Sequence, residues 1–467
     1  MATVGLAALL GTAWVQSATA SAASSTNPPA VRVTDPTAGH PYRHGAIPLV
    51  LRAAASALQR PGHAPVTPSS GAAAARASGG GKLRYGGGDT STNVGVVTGN
   101  PRVYLVFWGP KWGNAIGDPN NTATMLQQFF IGLGTNHEQW SGTALQYCQD
   151  VATGATACPA SDPHVPYPVS DVLAGTWFDT VNSYPPSNPP DSACSPCGSD
   201  LAAEAVRAAV HFGNTTQGSN LNAQYVIASQ SGENPDDWLS QSNGYCAYHD
   251  NTTDPSIDGA GPVAGPDVPF TNLPYVADVG SSCGAGAVNT PGTNDGVTIA
   301  EGHEYYETLT DPYPSTPTNA AIATGWTDRR GSEIGDKCEF LQHGQAGGPD
   351  NIILATGTFA VQGMWANNSG RRGHCVLTEP TISFSNPGKP HSKVGTAVSL
   401  QITATDGAPG TTLTYGASGL PAGLAINAAS GLISGTPTSA GKTTATVTAT
   451  DNLGFGNSIS VIWRVRR

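Results

Sequence analysis

Charged side chains are scarce in this chain of 467 residues. Lys, Arg, Asp and Glu together make up 11 % of it, against about 25 % in an average globular protein. The formal net charge is −11, whereas a protein that binds nucleic acid needs a basic face for the phosphates. The composition therefore argues against nucleic acid as a partner.

Long apolar runs are also missing. No stretch approaches the ~18 consecutive apolar residues of a membrane-spanning helix, so no transmembrane segment is expected. A shorter apolar run, Val4–Val15, is followed by the small residues of Ala18–Ala20 and Ser21–Ala23, although no Lys or Arg precedes it. This arrangement is typical of a signal peptide. We therefore predict a signal peptide at residues 1–23 and a secreted, extracellular or cell-surface protein.

Two common catalytic signatures are also missing. The one Gly-x-Ser-x-Gly match, Gly280–Gly284, is not followed by the helix-like segment that a nucleophile elbow needs, and the chain has no phosphate-binding P-loop. Readings as a serine hydrolase of the nucleophile-elbow type or as a nucleotide-binding enzyme consequently have no support.

The chain instead has many small and turn-forming residues, with 58 glycines and 37 prolines. Residues 24–96 are rich in Ala, Ser, Gly and Pro, which predicts a disordered pro-segment or linker; a cleaved inhibitory propeptide and a plain linker both remain open. Residues 97–378 mix strand-like segments (102–109 and 224–229) with helical ones (122–133 and 199–212), so we predict an α/β or α+β domain.

Eight cysteines lie between residues 148 and 375. An even count in an exported protein favours disulfides. We predict that cysteines adjacent in the sequence pair with each other, because these bonds would close mostly short loops. The predicted bonds are 148–158, 194–197, 246–283 and 338–375. The alternatives for Cys194-Ser-Pro-Cys197 are a redox pair and half of a zinc site.

The segment "EGHEYYETLTDP" (Glu301–Pro312) carries the candidate chemistry. A helix here would place His303 and Glu307 on one face, because positions i and i+4 lie one above the other. The layout is that of an H-E-x-x-H metalloprotease with glutamate in place of the second histidine. His303 and Glu307 are then metal ligands, and Glu304 is the general base. The alternative is a solvated polar face of a helix.

A third ligand is expected from "GSEIGDKCEF" (Gly331–Phe340). Asp336 is the first choice and Glu333 the second, and a disulfide at Cys338 could hold this loop rigid. Zn²⁺ suits such a site, while the extra carboxylate makes Mn²⁺ or Ca²⁺ less improbable than at a two-histidine site. His249 is either a ligand, a substrate contact or a surface histidine.

From residue 381 onward, short strands with alternating Thr and Val predict a small β-sandwich. The sequences "GLPAGLAINAASGLISGTPTSAG" (Gly419–Gly441) and "TVTATDNLG" (Thr446–Gly454) resemble the Ig-like domains common in bacterial extracellular proteins. The resemblance covers 381–467 and implies a cadherin-like spacer or adhesion module, sometimes associated with calcium. Asp406 and Asp451 are the candidate Ca²⁺ ligands, but turn capping is the favoured role because clustered oxygen ligands are missing.

Residues 100–378 resemble the exordium or phosphate-induced protein family of plants and its bacterial relatives. The resemblance rests on the order of several motifs, which are "NPRVYLVFWGPKW", "GYCAYHD", "VPFTNLPYVADVGSSCG", "EGHEYYETLTDP", "EIGDKCE" and "VQGMWANNSGRRGHCV". It implies an extracellular or wall-associated protein and a zincin-like metal site at His303, Glu304, Glu307, Glu333 and Asp336.

Taken together, the sequence predicts a secreted metal-dependent hydrolase, with a zincin-like metallopeptidase as the specific hypothesis. Its partner would be an extracellular protein, a peptide or a cell-wall component. The rival hypothesis is a non-catalytic extracellular binding or signalling protein, in which Zn²⁺ or Ca²⁺ at the same residues is structural.

Overall fold

A computed structural model describes residues 31–52, 81–159, 161–169, 172–182, 184–185, 196–258, 261–315, 323–378, 382–406, 411–452 and 456–467. The predicted signal peptide and Cys194 lie outside these ranges. In the part of the chain that the structure describes, no helix is both long and apolar enough to cross a lipid bilayer.

The main domain is built around a mixed five-stranded sheet. The domain also has smaller two-stranded sheets. In chain order, the strands of the whole domain are β1 (Val31–Val33), β2 (Val50–Arg52), β3 (Arg84–Tyr85), β4 (Arg102–Trp108), β5 (Leu173–Asp179), β6 (Ala223–Ser229), β7 (Tyr248–Asn251), β8 (Pro269–Leu273), β9 (Trp326–Thr327), β10 (Asp350–Leu354), β11 (Gly357–Val361), β12 (Met364–Ala366) and β13 (His374–Val376). Its helices are α1 (Thr122–Gly132), α2 (Gly198–His211), α3 (Gln217–Asn220) and α4 (Asp295–Thr310), with 3₁₀ turns at Ser141–Gln146, Pro235–Asp237 and Val276–Cys283.

The sheet has the strand order β5-β4-β6-β8-β7, and only β7 runs antiparallel to its neighbour. The predicted strands at 102–109 and 224–229 are confirmed as β4 and β6, and the predicted helices at 122–133 and 199–212 as α1 and α2. Helix α2 begins at Gly198, one residue before the predicted start, and Cys197 is its N-cap. With four α-helices against thirteen strands in its described residues, this domain is richer in strand than the α/β or α+β prediction implies.

Helix α4 crosses the interior of the domain. It packs against β7, β8, β11 and α1, and all of its residues except Ile299 are buried. Gly296 permits this close packing, because a Cβ there would lie 1.9 Å from the carbonyl oxygen of Cys283. A helix buried on every side has no polar face in water, so its ionisable side chains must find partners inside the protein.

The first described segment, residues 31–52, is here named the N-terminal strap. Its strands β1 and β2 pair with each other, and between them the chain runs antiparallel to residues 244–249. The strap is anchored by Arg43, which is fully buried and forms a 2.9 Å ion pair with Asp236. Residues 81–96 are also packed into the core, with Leu83 and Val96 buried. The disorder predicted for 24–96 therefore does not hold for residues 31–52 and 81–96.

The C-terminal residues form the predicted β-sandwich. Its strands are β14 (Ile382–Phe384), β15 (His391–Lys393), β16 (Val398–Gln401), β17 (Ala404–Asp406), β18 (Leu413–Ser418), β19 (Leu424–Ile426), β20 (Leu432–Gly435), β21 (Gly441–Asp451) and β22 (Gly456–Arg466). Sheets of order β15-β22-β21-β18 and β16-β20-β19, with the pair β14-β17, enclose a core that includes Ile433, Val447 and Trp463. Leu424 and Ile426 pack against this core from partly buried positions.

Three predicted disulfides are confirmed. They join Cys148 to Cys158, Cys246 to Cys283 and Cys338 to Cys375. The fourth predicted pair includes Cys194, which lies outside the described residues. The Cys338–Cys375 bond ties the loop that contains Glu333 and Asp336 to strand β13, as the position of Cys338 in that loop suggests.

Replacing Cys338 and Cys375 together by alanine is expected to lower the free energy of unfolding of the main domain by about 2–5 kcal/mol. The bond spans a sequence separation of 37, against 10 for the control pair Cys148–Cys158. On loop entropy alone the control should cost about 1 kcal/mol less. Guanidinium unfolding followed by tryptophan fluorescence measures both. A smaller cost at Cys338–Cys375 than at the control pair would contradict the expectation.

Candidate metal centre

Helix α4 presents three ionisable side chains to one buried site. His303, Glu304 and Glu307 are each fully buried. His303 and Glu307 are one turn apart, and the His303 Nε2 atom lies 3.0 Å from Glu307 Oε1. This is the i, i+4 relationship that the sequence predicts for two ligands on one helix face.

The predicted partner loop reaches the same site. Asp336 Oδ1 lies 3.7 Å from His303 Nε2. The backbone N–H groups of Gly335 and Asp336 each donate to Glu307 Oε1 at 3.1 Å. Glu333 lies instead beside His249, with its Oε2 atom 3.5 Å from His249 Nε2. The two carboxylates of the loop therefore contact different histidines, Asp336 with His303 and Glu333 with His249.

His249 is a central member of the site rather than a surface residue. It lies on β7 and is 1 % exposed. Its Nδ1 atom is 3.3 Å from Glu304 Oε2 and 3.6 Å from Glu307 Oε2. In the sequence, only the position of His249 within "GYCAYHD" marks it as a candidate. The contact of His249 with α4 depends on the pairing of β7 with β8.

These side chains make two overlapping groups of metal-ligand type. One group is His303, Glu307 and Asp336, and the other is His249, Glu307 and Glu333; in each, the ligand atoms lie within 4.8 Å of one another. Glu307 belongs to both, with Oε1 near His303 and Oε2 near His249. One carboxylate thus connects the two histidines.

Several buried polar atoms of the site have no hydrogen-bond partner. They are Nε2 of both histidines, Oε1 of Glu304, Oε2 of Glu307 and Oε2 of Glu333. The His303 Nε2 atom is near Glu307 Oε1, but the two do not have hydrogen-bond geometry. Unsatisfied buried groups are costly. An imidazole and carboxylate donor set with free lone pairs fits a divalent cation such as Zn²⁺.

The electrostatics of the site are dominated by burial. Burial and the neighbouring Glu307 raise the pKa of Glu304 well above its usual range, and burial followed by Glu307 does the same for Glu333. Burial raises the pKa of Glu307 to about 7 against the opposing effect of His303. For His303, burial lowers the pKa, but Glu307 and Asp336 outweigh it and bring the value to about 9. A cation at this position would stabilise the ionised carboxylates.

Gln362 orients the His303 ring. Its Nε2 group donates to the carbonyl of Gly335 at 2.6 Å, and its Oε1 atom lies 3.3 Å from His303 Nδ1. The amide oxygen can therefore accept from the Nδ1–H of His303, which leaves Nε2 as the nitrogen that faces Glu307 and Asp336. Such outer partners commonly fix the tautomer of a metal-binding histidine. Gln362 was not predicted from the sequence, because it follows directly after β11 and is far from α4 along the chain.

The N-terminal strap lies directly over this site. Gly45 has a φ of +58°, and a Cβ there would lie 1.7 Å from Glu307 Oε2 and 2.9 Å from His249 Nδ1. Only glycine fits so close to the two side chains. A cleft of about 540 Å³ remains between the strap and residues 328–339, and Glu333 and Asp336 line it.

Comparison with known proteins identifies the C-terminal domain. A family described as "Putative Ig domain" matches residues 380–466. The C-terminal domain is Ig-like. Among the described residues, Asp406 and Asp451 belong to none of the groups of three ligand atoms that could hold a metal, so the Ca²⁺ prediction for this domain stays a prediction.

Solved structures give further likenesses. Drosophila N-cadherin is 17 % identical over 23 % of this chain and 34 % of its own, with a TM-score of 0.17. Mouse cadherin-23 is 22 % identical over 23 % and 34 %, with a TM-score of 0.16. A "putative alpha-galactosidase" from Bacteroides fragilis is 26 % identical over 19 % and 18 %, with a TM-score of 0.17. The chain thus spans about a third or less of each of these proteins. None of the curated proteins matches this chain.

Proposed function

We propose that this protein is a secreted metal-dependent hydrolase that acts on peptides, with a zincin-like main domain and an Ig-like spacer or adhesion module. The observation that carries the proposal is the convergence of His303, Glu304 and Glu307 from α4 with Asp336 in one buried site that has unpartnered nitrogen and oxygen atoms. Structural ion pairs are normally satisfied, whereas a site with spare lone pairs is arranged for a ligand.

In this proposal His303, Glu307 and Asp336 hold the ion. Glu333 and His249 lie beside them as further ligands or as partners that position the first three. Zn²⁺ is the favoured ion because it accepts both imidazole nitrogen and carboxylate oxygen. The carboxylate-rich set also admits a harder ion, Mn²⁺ or Ca²⁺.

Glu304 is the proposed general base. The chemistry that Zn²⁺ supplies in such sites is the polarisation of a carbonyl group and a lowered pKa of water. Glu304 is next to His303 on α4, and its Oε1 atom has no partner. Its raised pKa suits a group that accepts a proton from an attacking water and passes it to the leaving amine.

The resemblance of residues 100–378 to the exordium family supports an extracellular setting for this chemistry. Substrates or partners in that setting would be extracellular proteins, peptides or cell-wall components. The Ig-like domain would then hold the catalytic domain at a surface or space it from one.

A second candidate is a non-catalytic extracellular binding protein with a structural metal. One observation favours it, since the strap covers the site and Gly45 lies against Glu307 and His249. A structural site is closed to substrate, and with the strap in place the side chains of His303, Glu304 and Glu307 are fully buried.

Metal analysis of the full chain tests the proposal. The protein is equilibrated with Zn²⁺ at neutral pH, desalted and measured by mass spectrometry for metal content. We expect at least one tightly bound equivalent that a strong chelator removes. A protein without stoichiometric metal would overturn the proposal. Metal without hydrolysis of a mixed peptide library, both before and after proteolytic removal of the strap, would favour the structural alternative.

A further inference from the structure

A third group of ligand type lies beside the candidate metal centre, where the strap meets the body of the domain. It consists of His44 from the strap, Asp250 from β7, and Asp254 from the turn that follows, with ligand atoms within 4.8 Å of one another. His44 Nε2 lies 3.1 Å from Asp254 Oδ2. The rings of His44 and His249 have centroids 6.4 Å apart, so the two sites are neighbours.

Asp250 is the residue that points to a missing ligand. It is fully buried, and its Oδ2 atom has no hydrogen-bond partner. Its other oxygen accepts from the N–H of Asn251 at 2.7 Å. An unpartnered carboxylate oxygen in the protein interior carries a large desolvation cost unless a cation or a proton offsets it.

The surroundings of this group add negative charge. Burial, followed by the nearby Asp254 and then Asp267 carboxylates, raises the pKa of Asp250 well above its usual range. Asp254 is held by the N–H of Ser256, which donates to Oδ1 at 2.6 Å, and this leaves Oδ2 facing His44. Two close carboxylates and one imidazole are a donor set that suits a divalent ion such as Zn²⁺ or Mn²⁺.

We propose that His44, Asp250 and Asp254 bind a second divalent cation, and that this ion fastens the N-terminal strap across the first site. The ion would join one ligand from the strap to two from the body. The next strap residue after His44 is Gly45, which lies against Glu307. Occupancy of the second position therefore stabilises the covered state of the first. The fastening role rests on the proposed function, whereas the second ion does not.

The test counts Zn²⁺ in the full chain and its variants after equilibration and desalting. We expect His44→Ala and Asp254→Asn each to hold one equivalent fewer than the unaltered protein. His343→Ala is the matched control, because His343 forms an exposed His–Asp pair, 3.7 Å from Asp350, and it should keep every equivalent. Asp254→Asn preserves the size of the side chain and guards against a loss caused by misfolding. Unchanged metal content in both variants would overturn the proposal.

A variant of the first site separates this proposal from the proposed function. Glu307→Gln should lose metal from the first site and keep the ion at His44. One outcome is that Glu307→Gln loses metal while His44→Ala holds as much metal as the unaltered protein. The first site is then supported and the second is overturned. If His44→Ala loses an ion and Glu307→Gln loses none, the second site stands and the proposed function fails.

Trypsin supplies a readout of the strap itself. Arg43 is buried next to His44, so cleavage after it requires the strap to leave. At a Zn²⁺ concentration ten times the dissociation constant, one stabilising ion lowers the population of the opened strap about tenfold. His44→Ala should therefore be cut after Arg43 about tenfold faster than the unaltered protein in the same Zn²⁺ buffer, as followed by intact mass. Equal rates would overturn the fastening role.

Discussion

Glu304→Gln is expected to reduce peptide hydrolysis by about 10²–10⁴-fold while leaving the bound metal in place. Glutamine has nearly the shape of glutamate but cannot take a proton from water. Glu304 Oε2 lies 3.3 Å from His249 Nδ1, and its other oxygen has no partner. The substitution therefore removes the proposed base while the ligands His303, Glu307 and Asp336 remain.

The control for this substitution is Glu301→Gln. Glu301 is also fully buried on α4, and its Oε1 atom accepts from Gln224 at 3.3 Å. It belongs to none of the ligand groups among the described residues. Hydrolysis of a fluorogenic peptide and metal content are measured for both variants, before and after trypsin opens the strap. Full activity in Glu304→Gln would show that the assigned base is wrong.

Glu307→Gln should weaken metal binding at the first site by more than about 100-fold, because even the loss of an outer partner costs about 10–100-fold. Glu307 is the one residue that both histidine-centred groups share. The glutamine oxygen can still accept from the N–H groups of Gly335 and Asp336, so the loop keeps its hydrogen bonds. The effect therefore reports the lost negative charge rather than a collapsed loop.

Competition with a chromophoric chelator measures this affinity. Gln362→Ala is the comparison, since Gln362 contacts His303 without being a candidate ligand, and it should weaken binding by about 10–100-fold. If Glu307→Gln binds metal as tightly as Gln362→Ala does, Glu307 is not a ligand.

Local sequence signals located helix α4 and the loop at 333–336. The four-residue spacing of His303 and Glu307, with Glu304 between them, is a property of a short stretch of sequence. The loop was found because charged residues make up only 11 % of the chain, and two carboxylates, Glu333 and Asp336, lie close together in it. His249 could not be placed in the same way. Its position depends on β7 pairing with β8, and such long-range pairing leaves no mark on the residues around it.

The strap shows a different limit of sequence reasoning. Its composition resembles that of a linker, and the prediction of disorder followed from the small amount of apolar surface it can bury. The structure holds it by other means, with a buried ion pair at Arg43 and backbone hydrogen bonds to residues 244–249. Composition indicates how much apolar surface a segment can bury. It does not indicate a specific ion pair or backbone hydrogen bonds to a distant part of the chain. The Ig-like domain is the opposite case, since its alternating strands and turns are local and were predicted with nearly correct bounds.

The strap also completes the main sheet at its open edge. β7 is the last strand of that sheet. The N–H groups of Cys246 and His249 donate to the carbonyls of Ile47 and His44, at 2.8 and 3.1 Å. If the strap left, these backbone N–H groups would be exposed, and the one at His249 would lie close to the buried carboxylates of Glu304 and Glu307. Unpaired strand edges readily accept another extended chain, so the same movement that uncovers the ligands would create a place for a second backbone to pair beside them.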